Sequence, residues 1–185
     1  MRNENARKFI KKAVCQAWAR SLVKYAKILS KKAKMTKQVP ATGELMSDSE
    51  IRRLFGKPKA FCVKNEAGKV KCAAFLEIAD TFEKRRRGLS KRASLGKMSG
   101  MIFDCTGPFW MKDVEFPLDL VFTDDRGKIT EKVAMPVDKE GKMRYPAQKS
   151  ASTHAIELPY GFFDKNGLKI GDFIVPAAMK IPKKG

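Results

Sequence analysis

Five carboxylates in the second half of the chain are the residues best placed for acid–base or metal chemistry. They are Asp113, Glu115, Asp119, Glu157 and Asp172. Paired carboxylates at strand ends can serve a glycosidase, and their oxygens can bind a divalent cation. In the simpler interpretation Asp119 and Asp172 make turn or helix-cap hydrogen bonds, and Lys112 neutralises one of them. We favour the simpler interpretation and expect neither a catalytic residue nor a cofactor.

Thiol and metal chemistry is limited by the cysteine and histidine content. Nucleophilic catalysis would need Cys105, or another thiol, beside His154, and no hydrolase signature surrounds either residue. The cysteines lack Cys-x-x-Cys spacing and His154 is the single histidine, so we expect no zinc site. Cys62 and Cys72 flank a predicted hairpin turn and fall on opposite faces. We therefore expect free, buried thiols.

An exposed rim could bind a small ligand. The run Phe109-Trp110-Met111-Lys112 sets aromatic rings beside a charge, and such rings can stack on a base or a sugar. A tryptophan inside a β-rich core is the commoner case. The residues of this possible ligand rim are Trp110, Lys112, Asp119 and Glu157. Convergence of Lys112 and Asp119 on an open pocket would favour an enzyme or ligand binder.

Positive charge is concentrated at the N-terminus. The chain has a net charge of +19, and residues 1–38 hold twelve Lys and Arg against one acid, Glu4. Apolar residues recur at steps of three and four over residues 6–34, which predicts an amphipathic basic helix. The excess exceeds what solubility requires and predicts a polyanionic or acidic partner. The predicted contact residues are Lys8, Lys11, Lys12, Arg20, Lys24, Lys27, Lys31, Lys32 and Lys34.

Two other roles for this basic segment remain open. Its apolar stripe could pack on a neighbouring element and leave a solvated basic face, or the helix could lie on an anionic lipid surface. A second basic patch comprises Arg85, Arg86 and Arg87, in a predicted helix that Thr81 caps and Gly88 ends, together with Lys91 and Arg92. We name it as a further possible nucleic-acid contact.

The remaining sequence predicts a β-rich domain. Ser47-Asp48-Ser49-Glu50 is a capping box before a short helix. Short β-branched and aromatic runs follow, among them Leu118–Phe122, which enters a hairpin at Asp124-Asp125-Arg126-Gly127. A single-turn helix is predicted within 160–166. The predicted organisation is a helical arm over 1–38, a linker and short helix over 39–57, the β domain over 58–176 and a tail over 177–185.

Four blocks in order carry a resemblance to a known family. They are Glu77-Ile78-Ala79-Asp80-Thr81 with Arg87-Gly88-Leu89, then Ser99-Gly100-Met101-Ile102-Phe103, then Phe109-Trp110-Met111-Lys112 with Phe116-Pro117-Leu118-Asp119, and last Ile156-Glu157-Leu158 with Gly167-Leu168-Lys169-Ile170-Gly171-Asp172. Over about residues 70–176 the chain resembles the domain of unknown function family 192, a small and mostly prokaryotic family. The resemblance implies a compact β-rich fold and no established reaction.

These observations favour a mainly β domain of α+β type, barrel-like and antiparallel, behind a basic helical arm. The function that we expect is non-enzymatic: a structural or assembly component of a nucleic-acid-containing particle, preferably a tailed-phage virion. Its partners would be other subunits and, through the arm, nucleic acid. The alternatives are a small enzyme or ligand binder that uses the rim, and a peripheral membrane protein. The sequence has no run of eighteen apolar residues and no secretory signal pattern, so we expect a virion or cytoplasmic location.

Overall fold

The structure is a computed structural model that describes residues 45–138 and 140–178. The predicted helical arm over 1–38 lies outside the described residues, together with all nine of its predicted contact residues. Most of the predicted tail lies outside them as well.

Three short helices are present in the described chain. Helix α1 (Asp48–Phe55) begins at the predicted capping box: Glu50 N–H donates to Ser47 Oγ, and the Glu50 carboxylate accepts from Ser47 N–H at 2.9 Å. Helix α2 (Phe82–Arg87) begins at Thr81 and ends at Gly88, as predicted. Helix α3 (Phe162–Lys165) is the predicted single turn.

Seven strands lie close to the predicted β-branched and aromatic runs. In chain order they are β1 (Lys59–Lys64), β2 (Val70–Ala79), β3 (Ser99–Phe103), β4 (Leu118–Thr123), β5 (Ile129–Met135), β6 (His154–Pro159) and β7 (Phe173–Pro176). The prediction of a mainly β fold with short helices is therefore confirmed.

The strands form one mixed sheet in the order β5-β4-β6-β3-β2-β1-β7. Strands β2 and β3 are parallel, with Glu77 opposite Met101, and the other neighbours are antiparallel. A parallel pair needs a crossover connection, which α2 and the loop after it supply. The prediction of a barrel-like antiparallel sheet is wrong, because the sheet is mixed and does not close.

The two edges of the open sheet touch at one corner. Lys128, next to β5, forms an isolated bridge with Phe173 of β7. Backbone hydrogen bonds from Ile129 to Asp172 (2.7 Å) and from Ile174 to Gly127 (2.8 Å) support it. Gly127 has φ +79°, and a Cβ there would collide with the Ile174 carbonyl oxygen. A glycine is thus required where the edges meet.

Each face of the sheet carries a hydrophobic core. On face A, Met101, Phe103, Leu120 and Phe122 pack with Phe55 of α1 and with other core residues of the loops, Leu89, Phe109, Met111 and Val114. On face B, the core residues are Phe61, Val63, Ala74, Leu76, Ile102, Val121, Ile156, Leu158, Phe162 and Phe163. Strands buried on both faces show no apolar–polar alternation.

The two hairpin cysteines have the predicted geometry in a different register. Cys62 lies opposite Ala73 and Val63 opposite Cys72, so the thiols point to opposite faces of the sheet. Cys62, Cys72 and Cys105 are free and only half-buried. Among the described helices, none is long and apolar enough to span a membrane.

Candidate functional site

A row of cross-strand partners places two glutamates on face A. Glu77 of β2 lies opposite Met101 of β3, and Met101 lies opposite Glu157 of β6. Residues that pair across neighbouring strands share a face, so Glu77 and Glu157 point in the same direction with Met101 between them. Both are buried. The core under α1 therefore contains two acids.

Arg92 joins this row from the loop after α2. Its Nη1 and Nη2 donate to the two Glu77 carboxylate oxygens at 2.8 Å and 2.6 Å, which is a bidentate pair. Arg92 is only 4% exposed, and its guanidinium lies 4.9 Å from the centre of the Phe55 ring. Its Nε has no hydrogen-bond partner within the described residues. We call Glu77, Arg92 and Glu157 the buried acid–guanidinium cluster.

The protonation of Glu157 differs from that of an ordinary carboxyl group. Burial raises the pKa of Glu157 to about 8, although the positive charge of Arg92 acts to lower it. Its Oε2 is buried without a hydrogen-bond partner in the part of the chain that the structure describes. Glu157 therefore holds a proton at neutral pH and could donate or exchange it.

Asp119 lies on the other side of the sheet. It pairs with Leu158, a face B residue, and its Oδ2 accepts a hydrogen bond from Phe163 N–H at 3.0 Å. It thus caps α3, whose own N-cap residue, Gly161, offers no side chain. Asp172 likewise accepts from Lys169 N–H, at 2.8 Å. Both aspartates make hydrogen bonds of the kind that the simpler interpretation describes, but the lysine that pairs with Asp172 is Lys71, at 2.7 Å, and not Lys112.

The capping role of Asp119 predicts a moderate loss of stability on truncation. Asp119→Ala should lower the free energy of unfolding by about 1–2 kcal/mol, because Phe163 N–H loses its acceptor at the start of α3. Asp119→Asn keeps an acceptor of the same shape and should cost less than half as much. Urea denaturation of the two variants beside wild type measures the difference. Equal losses in both variants would contradict the capping role.

Trp110 and Lys112 lie at the surface. Met111 between them is fully buried in the face A core, so its neighbours point outward, and Trp110 is 43% exposed. The Arg144 guanidinium lies 4.8 Å from the centre of the Trp110 ring. The four residues of the possible ligand rim are therefore dispersed: Glu157 lies inside the face A core, Asp119 lies on face B, and Trp110 and Lys112 lie at the surface. The structure brings together only the last two, with Arg144.

The predicted basic patch on α2 is partly neutralised by nearby acids. Lys84 pairs with Asp80 at 2.8 Å and Arg85 with Asp104 at 2.6 Å. Arg87 lies near Glu50, whose pKa is lowered mainly by its hydrogen bonds to Ser47 and slightly by Arg53 and Arg87. Arg86 is exposed. This helix offers little unpaired positive charge for a phosphate backbone.

Burial disfavours an activated nucleophile at Cys105. Burial raises the pKa of the Cys105 thiol, which disfavours the reactive thiolate. Burial also lowers the pKa of His154, whose Nδ1 lies 2.9 Å from Thr153 Oγ1. Among the described residues, no group of three or more Asp, Glu, His or Cys is arranged to hold a metal ion.

Glu77 and Arg144 are site residues that sequence reasoning did not single out. Arg92 was predicted as part of the second basic patch, whereas the structure buries it against Glu77. Glu77 stands between Leu76 and Ile78 in a strand buried on both faces. Arg92 follows a lysine, in a polar run of the kind that is usually exposed to solvent. A carboxylate inside an apolar run was the available signal, because such a group needs a buried partner.

The chain belongs to the DUF192 family, described as uncharacterized ACR, COG1430, whose profile matches residues 63–175. Two solved structures share its fold. One, from Sinorhizobium meliloti, is described as a candidate transcription regulator and has 24% identity and a TM-score of 0.59 over 68% of this chain and 97% of its own. The other, a protein of unknown function from Novosphingobium aromaticivorans, has 21% identity and a TM-score of 0.56 over 75% and 99%. No curated protein matches the chain significantly.

Proposed function

We propose that the protein is a non-enzymatic assembly component that binds nucleic acid, or an acidic face of a neighbouring subunit, through residues 1–38. The observation that carries the proposal is the distribution of charge. Residues 1–38 hold twelve Lys and Arg against one acid, whereas the described residues hold 23 against 18. A high density of excess positive charge favours association with a polyanion.

The described domain supports this division of roles because many of its cations are already paired with its own acids. Beyond the pairs at α2 and in the buried cluster, Lys71 pairs with Asp172, Lys128 with Glu66 and Lys132 with Asp164. Its sheet has a hydrophobic core on each face. Such a domain can act as a rigid docking platform. A particle that packages nucleic acid, such as a tailed-phage virion, would supply both the polyanion and the neighbouring subunits.

Binding of labelled double-stranded DNA across a salt series tests the proposal. At about 50 mM salt, a chain lacking residues 1–38 should bind at least about tenfold more weakly than the full chain, with a shallower dependence on salt. A full-length variant in which Gln replaces Lys8, Lys11, Lys12 and Arg20 removes charge without shortening the chain. Its loss of DNA affinity should be intermediate between those of the full chain and the deletion. The matched control is Arg52→Gln, which removes one exposed charge from α1. DNA binding that the deletion leaves unchanged would exclude nucleic acid as the partner of residues 1–38 and leave a protein or lipid partner.

A second candidate function is a ligand-binding or acid–base role at Glu157. The observation that favours it is the buried, unpartnered Oε2 of a carboxyl group that is protonated at neutral pH. Of the four rim residues, this candidate uses Glu157 alone. A thermal-shift screen of small anions and metabolites tests it: a ligand that raises the Tm of wild type but not of Glu157→Gln would support the role.

A further inference from the structure

We propose that Trp110, Lys112 and Arg144 form a stacking site for a base of single-stranded nucleic acid. The inference rests on the proposed function, because it assigns to the β domain a contact with the same polyanion. We call these three residues the Trp110 surface. It differs from the basic segment in kind, since it combines an aromatic ring with two cations.

The backbone around Trp110 holds its ring outward. Phe109 and Tyr145 form an isolated antiparallel bridge through N–H···O bonds of 3.2 Å and 3.0 Å. Side chains alternate along an extended chain, so the core-facing Phe109 and Tyr145 leave their neighbours Trp110 and Arg144 on the outer side. Because the bridge fixes both segments, little order would have to be gained on binding.

Arg144 is held in place over the ring. Its Nη1 donates to the carbonyl oxygens of Gly141 and Met143, which leaves its other N–H groups free of the backbone. Gly141 itself packs against the Lys112 side chain, since a Cβ there would lie 2.6 Å from Lys112 Cβ. The loop that carries Arg144 is therefore seated directly on the segment that carries Trp110 and Lys112.

The charges of the Trp110 surface favour an anionic partner. Within the described residues neither Lys112 nor Arg144 forms an ion pair. Neighbouring acids are Asp113, which is exposed, Asp138, which accepts from two backbone amides, and Glu140, which pairs with Lys142. Lys112 and Arg144 can contact phosphates because they form no ion pair with these acids, and the exposed ring can stack on an unstacked base. Single strands offer both.

The test uses a full-length Trp18→Phe protein, in which Trp110 is the single tryptophan. Titration with an oligothymidylate should quench Trp110 fluorescence saturably, and the quenching should weaken as salt rises. In anisotropy measurements with a labelled oligothymidylate, Trp110→Ala and Arg144→Ala should each weaken binding about fivefold or more. Arg52→Ala, which removes an exposed arginine from α1, should change it less than about twofold.

The outcomes separate this inference from the proposed function. Oligonucleotide binding that leaves Trp110 fluorescence unchanged would overturn the stacking site and leave the proposed function intact. Absence of binding to both single and double strands would overturn the stacking site and also exclude nucleic acid as the partner of residues 1–38. Quenching by an acidic peptide but not by the oligonucleotide would assign the Trp110 surface to a protein partner instead. Circular dichroism of each variant confirms folding, and truncation of the exposed Trp110 and Arg144 side chains should leave it unchanged.

Discussion

Replacing Arg92 by Met should lower the free energy of unfolding by about 3–5 kcal/mol, which is the range for removing one partner of a buried ion pair. The substitution leaves the Glu77 carboxylate in the face A core without the two N–H donors that hold it at 2.8 Å and 2.6 Å. It also removes the positive charge that acts to lower the pKa of Glu157. Urea denaturation at pH 7 measures the loss.

A double-mutant cycle with Glu77→Gln identifies the source of this loss. Once Glu77 is neutral, removal of Arg92 no longer leaves a buried charge without its partner. The double variant should therefore be more stable, by at least about 1 kcal/mol, than the sum of the two single losses predicts. The matched control is Arg85→Met, whose partner Asp104 is largely solvent-exposed and whose loss should cost less than about 1 kcal/mol. Additive losses in the cycle would contradict the buried pair.

Glu157→Gln should make the protein more stable than wild type at pH 8, by on the order of 3 kcal/mol, and nearly equal to it at pH 4.5. The folded-state pKa of Glu157 is raised to about 8 from an ordinary value of 4.5. The folded chain therefore keeps a proton that the unfolded chain releases over this interval. Wild-type stability falls as pH rises from about 4.5 to about 8, and Gln removes that loss because it does not titrate.

Thermal or urea denaturation of both proteins from pH 4.5 to 8.5 measures this difference. Glu131→Gln supplies a control of opposite sign. Burial acts to raise the pKa of Glu131, but hydrogen bonds from Gln148, Lys149 and Ser152 outweigh it and lower that pKa. The stability that Glu131 contributes is present above the ordinary value of 4.5 and is lost as pH falls below it, so Glu131→Gln should be less stable than wild type by a nearly constant amount over this range. Wild-type and Glu157→Gln curves that run parallel over the whole range would show that Glu157 is ionised in the folded protein.

Sequence reasoning located most of the local structure because local signals determine it. The capping box at Ser47, the cap at Thr81 and the hairpin turn before Gly127 each depend on a few neighbouring residues, and each is present. The barrel-like sheet was wrong because closure depends on whether two strands far apart in sequence share a ladder. Here β5 and β7 share no ladder and meet through the isolated Lys128–Phe173 bridge and the few backbone hydrogen bonds around it.

The candidate site was harder to predict for a reason that its strands share. Glu77, Asp119 and Glu157 each stand between two large apolar residues in a strand buried on both faces. Without alternation, the sequence does not show which face a carboxylate takes. The register decides it: Glu157 points into face A beside Arg92, and Asp119 points into face B to cap α3. Asp119 and Glu157 were grouped in one rim because both lie in apolar runs of the sequence, but they do not share a face of the sheet.

The position of β7 has a consequence for synthesis of the protein on the ribosome. This strand of four residues pairs with β1, so that Lys64 meets Phe173 about 110 positions later in the chain. Until β7 emerges, β1 of the nascent chain presents an unpaired strand edge, and such edges promote association between chains. We therefore expect a chain truncated before Phe173 to aggregate during expression, whereas the full chain covers that edge as its last strand is made.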